Sequence, residues 1–261
     1  MVKQSKQGEG VAVVFDSGIG GLNLLCECAR RAPQMHYYYV SDNQNVPYGD
    51  RSAEEILRLT LNALDGIEKL RPSALVIACN TVTAQCIDSL RKIFPFPVVG
   101  IQPAVKQAAE KGGKCLVLAT EATVSSAPFK KLISRFAPAD TAAVGCSGLA
   151  DYIERNIFAL PAVLPQGLLP DFSPDSVVLG CTHYAFVKEQ IQNRYKCAVY
   201  DGIFGTASRF SEIVGMTDHF LPRAGIFDYS PHNAFKITFL RGNCDKNARI
   251  VKCLFGMETF D

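Results

Sequence analysis

Ala74-Leu75-Val76-Ile77-Ala78-Cys79-Asn80-Thr81 and Ser176-Val177-Val178-Leu179-Gly180-Cys181-Thr182-His183 share one plan. Each runs an unbroken apolar strand into a small residue, then a cysteine, then hydrogen-bonding side chains. A continuous apolar run of this length reads as a strand buried on both faces, the signature of a parallel sheet covered by helices. In such sheets ligands gather beyond the carboxyl ends of the strands, where both cysteines would lie. A rigid strand ending in a thiol delivers a reactive sulfur to a defined place. The two cysteines stand 102 positions apart, which hints at a duplicated unit.

Outward from these stretches the same alternation continues. Val11–Phe15, Met35–Val40, Pro97–Ile101, Lys114–Ala119 and Cys197–Tyr200 read as further strands. Helical spacing is expected over Gly21–Arg31, Ser52–Leu70, Thr83–Ile93, Pro103–Lys111, Ser125–Phe136, Gly148–Asn156 and Phe186–Arg194. Pro103 and Pro128 are expected in first turns, which tolerate proline. This pattern predicts an α/β protein with mainly parallel sheets. Phe94-Pro95-Phe96-Pro97 suggests a domain crossing and Gly202–Gly205 a return. Leu160–Pro174, with its four prolines, reads as a surface loop.

Composition narrows the function classes. The chain has 261 residues, room for one large or two modest domains. With 27 basic and 25 acidic residues it has no basic tract to attract nucleic acid or an anionic membrane. No run approaches the roughly 18 apolar residues of a membrane span, and the first ten residues lack the apolar core of a secretory signal. Ten cysteines in a chain with a large apolar core and no export signal read as reduced cytoplasmic thiols.

Several motifs carry chemistry. Phe15-Asp16-Ser17-Gly18-Ile19-Gly20-Gly21 follows a strand and opens a helix, so its backbone N–H groups can approach an anion. A dinucleotide fingerprint would need glycine where Asn23 stands, so a small carboxylate suits the loop better. Asp16 puts an acid beside that anion site; as bland alternatives, Asp16 or Ser17 would simply cap the helix. Val46-Pro47-Tyr48-Gly49 is a tight turn that presents a phenol and backbone donors. The cysteines can serve as proton-transferring bases, since the thiolate is the active form. Metal binding lacks the required spacing: Cys26-Glu27-Cys28 alternates along a predicted helix, and His36, His219 and His232 have no supporting neighbours. Cys181 and His183 also permit a cysteine hydrolase, although nucleophile and base in such enzymes usually come from separate elements.

Taken together, Phe-Asp-Ser-Gly-Ile-Gly-Gly at 15–21, Val-Pro-Tyr-Gly at 46–49, Ala-Cys-Asn-Thr at 78–81 and Gly-Cys-Thr-His-Tyr at 180–184 resemble the cofactor-independent aspartate/glutamate racemase superfamily, its glutamate racemases in particular. The resemblance runs from Val11 to about Tyr200. It implies two similar α/β domains with the active site in the cleft between them: 1–96 with 206–261, and 97–205. It implies an isomerase that interconverts L- and D-glutamate for peptidoglycan synthesis, with no cofactor and no metal. Cys79 and Cys181 would exchange the α-proton, assisted by Asp16, His183 and Glu154. Asp16, Ser17, Tyr48, Gly49, Asn80, Thr81, Thr123, Thr182 and His183 would bind the amino acid. The expected partner is glutamate, with neither nucleic acid nor membrane, and a homodimer is compatible with the family. The alternatives are a racemase of aspartate or another amino acid, and a non-catalytic binding protein for acidic amino acids. Ala185, Ala119 and Cys146-Ser147 depart from residues common in the family at those places.

Overall fold

The computed structural model describes residues 10–216 and 235–257, which form two parallel sheets. His219 and His232 lie outside the described residues. The first sheet has the order β4 (Val98–Gly100), β3 (Ala74–Ile77), β1 (Val11–Asp16), β2 (His36–Ser41), β9 (Lys236–Arg241). The second has the order β6 (Thr141–Gly145), β5 (Cys115–Ala119), β7 (Ser176–Gly180), β8 (Ala198–Asp201). Every pairing is parallel. The apolar runs that suggested two-sided burial are indeed central: β3, β5 and β7 are buried along their whole length.

Helices supply the crossovers: α1 (Leu22–Arg31), α2 (Ala53–Ala63), α3 (Asn80–Ile93), α4 (Val105–Lys111), α5 (Glu121–Ser125), α6 (Ala127–Phe136), α7 (Leu149–Asn156), α8 (Lys188–Tyr195), α9 (Ile203–Ile213) and α10 (Cys244–Phe255). Side chains at the starts do the capping expected of them: the hydroxyls of Ser52, Thr120 and Ser126 accept from Glu55, Thr123 and Phe129 N–H groups. Pro128 sits in the first turn of α6, whereas Pro103 precedes α4. The helix expected over Ser52–Leu70 breaks after Ala63, because Gly66 adopts a left-handed φ of 79° before a 3₁₀ turn at Ile67–Leu70.

The Phe94–Pro97 stretch joins α3 to β4 inside the first sheet, so the chain leaves that sheet after Gly100 rather than at 96–97. The chain packs back on the first sheet's helices and strands at α9, against α1, β3 and β4, and rejoins the sheet itself at β9, which pairs with β2. One apolar cluster spans both sheets, holding Ile19, Leu22 and Tyr39 with Leu149, Ile153 and Tyr184. Among the described residues, no helix is long and apolar enough to cross a membrane.

Strand order locates the site. In the first sheet the chain goes from β1 to one side for β2 and to the other for β3. In the second it goes from β5 to one side for β6 and to the other for β7. Each sheet therefore has a reversal point, between β1 and β3 and between β5 and β7, with diverging loops that leave a crevice at the strand ends. The carboxyl ends of these four strands lead into Asp16-Ser17, Cys79-Asn80-Thr81, Thr120–Thr123 and Cys181-Thr182-His183.

Candidate active site

Both cysteines occupy the same kind of position. Cys79 is the cap residue of α3, and Cys181 that of a 3₁₀ segment, Thr182–Val187; both are extended and both are buried. A thiol at a helix start faces free backbone N–H groups, which favour its thiolate. At Cys79 burial outweighs this and pushes the thiol up to about 12, with the charge of Asp16 adding to the rise. The Val82 N–H and the Ser17 hydroxyl, 3.6 Å from the sulfur, work in the opposite direction.

Asp16 is fully buried at the end of β1. Its Oδ1 accepts from the Gly18 N–H at 2.8 Å and its Oδ2 from the Thr182 hydroxyl at 3.0 Å, so one carboxylate ties the two sheets together. Burial raises its pKa above the usual aspartate value, opposed chiefly by the charge of His183.

The second thiol has a different set of companions. His183 Nδ1 lies 3.9 Å from Cys181 Sγ, and its Nε2 lies 2.9 Å from Glu154 Oε1. Burial disfavours the imidazolium, but hydrogen bonds to Cys181 and Glu154 outweigh it and hold His183 well above the ordinary histidine value. Burial likewise works against the Glu154 carboxylate; hydrogen bonding and charge from His183, with the Ile19 N–H and Lys246, win and keep its pKa lowered. The two shifts agree on an ion pair, imidazolium against carboxylate, inside a dry seam.

The glycine-rich loop does receive a carboxylate, but one that belongs to the protein. The Ile19 N–H donates to Glu154 Oε1 at 2.6 Å, and Gly18 donates to Asp16. The packing explains the glycines. A Cβ on Gly18 would stand 1.7 Å from Glu154 Oε1, and one on Gly20 would stand 2.6 Å from His183 Nδ1 and 2.7 Å from Thr182 Oγ1.

A hydroxyl cluster forms the other flank. Thr81 and Thr123 each lie 2.9 Å from the Thr120 hydroxyl, and all three are buried. The Ala122 N–H donates to the Gly49 carbonyl at 2.8 Å, and Gln85 Nε2 donates to the Ala122 carbonyl at 2.5 Å. The loop and helix after β5 are thus bonded to the first sheet's loops. Tyr48 is buried with its phenol donating to Asp42 at 2.7 Å, so its hydroxyl serves the turn itself. Asn80 is buried at the first position of α3.

The structure therefore joins Asp16, Ser17, Cys79, Thr182, His183, Cys181 and Glu154 in one chain of contacts, and Thr81, Thr123 and Gly49 in a second. Thr120 and Lys246 also take part, although neither was singled out in the sequence. Thr120 could have been found as the first hydroxyl after β5, at a strand end like the cysteines; Lys246 stands in no motif. Two cavities, of 690 and 910 Å³, open elsewhere, one near Gln102 and Arg209 and the other between Asp42 and Asp245. Neither cavity is lined by Cys79 or Cys181, which lie in the seam between the sheets.

Comparison with known proteins finds racemases. The Asp/Glu/Hydantoin racemase family model matches residues 23–207. A glutamate racemase of Clostridium botulinum is 38% identical over 204 residues, covering 74% of this chain and 79% of that protein. The crystal structure of Escherichia coli glutamate racemase in complex with L-glutamate and the activator UDP-MurNAc-Ala superposes with a TM-score of 0.75 at 26% identity, over 96% of this chain and 97% of that one. A glutamate racemase isoform from Bacillus anthracis shares the fold, with a TM-score of 0.72 at 24% identity over 98% and 97% of the two chains.

Proposed function

The chain belongs to the Asp/Glu/Hydantoin racemase family, and from that premise we propose that it interconverts L- and D-glutamate by proton transfer between two cysteines, without a cofactor. The observation that carries the mechanism is the placement of Cys79 and Cys181 at the reversal points of two separate sheets, with different acid–base companions.

The α-proton of an amino acid is very weakly acidic. Its removal needs a base held in near-attack geometry and donors around the carboxylate as charge develops at the α-carbon. In this reading the substrate lies between the two thiols. One sulfur, as thiolate, takes the α-proton; the other, as thiol, gives its proton to the opposite face. One proton leaves, one arrives, and the sulfurs end with exchanged protonation states. The reverse reaction starts from that exchanged state. Ser17 and the Val82 N–H stabilise the Cys79 thiolate as it forms, while burial, aided by the charge of Asp16, opposes it and keeps Cys79 a thiol at rest. His183, charged and braced by Glu154, serves Cys181. Asn80, Thr81, Thr123, Thr182, Tyr48 and Gly49 supply the surroundings of the substrate. The first lobe is built on β1–β4 with β9 and the second on β5–β8. Cytoplasmic residence, a homodimer and supply of D-glutamate to peptidoglycan synthesis belong to the same reading.

The test is racemisation followed by circular dichroism. Cys79→Ser and Cys181→Ser are each expected to lower kcat by about 10²–10⁴, the contribution of a positioned acid or base. Near-normal racemisation by either variant removes the two-base scheme. A panel with aspartate and neutral amino acids reads the side-chain selectivity in the same assay.

A further inference from the structure

Glu154 is held from an unexpected direction. Lys246 is the third residue of α10, in the segment that completes the first sheet through β9. Its Nζ donates to the backbone carbonyl of Glu154 at 2.6 Å and lies 3.3 Å from Glu154 Oε2. The carbonyl of Glu154 is one of the last four of α7, which have no partner within the helix, so the ammonium caps the helix as well as pairing with the side chain. The other carboxylate oxygen, Oε1, takes the Ile19 N–H and His183.

Lys246 is itself well placed. Its backbone N–H donates to the Asn243 side chain, which caps α10. The Asn243 N–H bonds to Asn43, and Asn247 Nδ2 bonds to Ser41, so the start of α10 is fastened to the end of β2. A line of contacts then runs from β2 through Lys246 and Glu154 to His183 and Cys181.

We propose that Lys246 is a positioning residue for the Cys181 half of the site, fixing the carboxylate of Glu154 and through it the orientation and charge of His183. The proposal rests on the two-cysteine reading above. Other titratable groups face the Cys181–His183 pair: Asp16 at the end of β1, Cys79 at the start of α3, Cys146 after β6, and Tyr184 beside His183. Asp50 and Glu121 lie farther out, toward Tyr184. Of the two basic side chains in this set, His183 touches the thiol and Lys246 acts through Glu154. Removing the Lys246 charge leaves the cluster more negative, which discourages a second anion at Cys181.

Lys246→Gln in the full chain tests this, with Lys246→Arg as the conservative variant. Lys252→Gln, an exposed lysine on the same helix, is the control. Lys246→Gln is expected to lower kcat for glutamate about tenfold with KM within about twofold. It should also move the acidic limb of the kcat/KM profile up by about one pH unit, the tenfold equivalent. Lys246→Arg should restore both, and Lys252→Gln should change neither. A second readout does not depend on racemisation: in a Cys79→Ser background, the pH midpoint for alkylation of Cys181 by iodoacetamide, located by mass spectrometry, should rise in Lys246→Gln. An unmoved profile and an unmoved alkylation midpoint overturn the proposal even if kcat falls, because a purely structural lysine would give that result. Failure of Lys246→Arg to restore the profile overturns it too. Failure of the racemase reading looks different: the unmodified protein would not racemise glutamate, while the alkylation arm would still report on Lys246.

Discussion

Asp16 keeps a carboxylate where water does not reach, and its environment sets a cost that can be measured. A buried acid whose pKa is raised favours the fold when protonated and opposes it when ionised, so at neutral pH this side chain works against stability. Asparagine at this position can still accept from Gly18 and can donate to the Thr182 oxygen. Asp16→Asn is therefore expected to raise the melting temperature at neutral pH by about 2–4 °C, the shift from roughly 1 kcal/mol in a chain of this size. The gain should shrink as pH falls toward the ordinary aspartate range, while racemisation drops; scanning fluorimetry and circular dichroism read the two effects. At this scale the site was legible wherever a residue sits at a strand end. Asp16, Cys79 and Cys181 each follow an apolar run, and a buried strand has few other reasons to finish in an acid or a thiol. Lys246 was not legible, because its partner is 92 residues away and nothing local to Cys244-Asp245-Lys246 announces it.

Among the elements, α5 shows how a short helix gains a role from its first residue. Thr120 caps it, bonds to Thr123 and reaches Thr81 of α3, so one hydroxyl both starts a helix and links two sheets. Thr120→Val keeps the shape but loses the cap, at about 1 kcal/mol. It should lower the melting temperature by about 2–4 °C and raise KM for glutamate more than it lowers kcat, as steady-state kinetics would reveal. The strands β1, β3, β5 and β7 could be read from sequence because they are covered on both faces. β6 escaped because Thr-Ala-Ala-Val-Gly is a half-buried edge with little apolar bulk, and β9 because Lys-Ile-Thr-Phe-Leu-Arg follows a long stretch without clear period. α9 was hidden by its glycines, which suggested only a turn. Gly202 opens that helix and is small because a Cβ would meet the Gln102 carbonyl oxygen at 2.0 Å.

At the scale of the molecule, the sheets are joined through charges as well as through the shared apolar cluster. The His183–Glu154 pair gives a pH signature with a definite sign. Glu154, lowered, contributes stability above the ordinary carboxylate value and loses it as pH falls through its own lowered value. His183, raised, contributes fully below the ordinary imidazole value and loses it as pH rises through its own raised value. The melting-temperature difference between the unmodified protein and Glu154→Gln should therefore be largest between about pH 4.3 and 6.5 and narrow toward alkaline pH, as a series of thermal melts would record. An equal difference at all pH values would mean that packing, not charge, holds the pair. The two-sheet plan was visible in the alternation of strands and helices, whereas the point where the chain changes sheets was not. Proline punctuation marked a loop within the first sheet, and the true crossing after Gly100 has only a short, ordinary linker.

The glycines at 18 and 20 carry a consequence for inheritance. Gly18 leaves no space for a methyl group beside Glu154, and Gly20 leaves none beside His183 and Thr182. The loop from one sheet and the acid, imidazole and hydroxyl from the other are cut to a single outline. Recombination that exchanged one lobe for that of a relative would bring together surfaces shaped for different neighbours. Drift at either side must wait for a matching change across the seam. What looks like two modules behaves as one heritable unit.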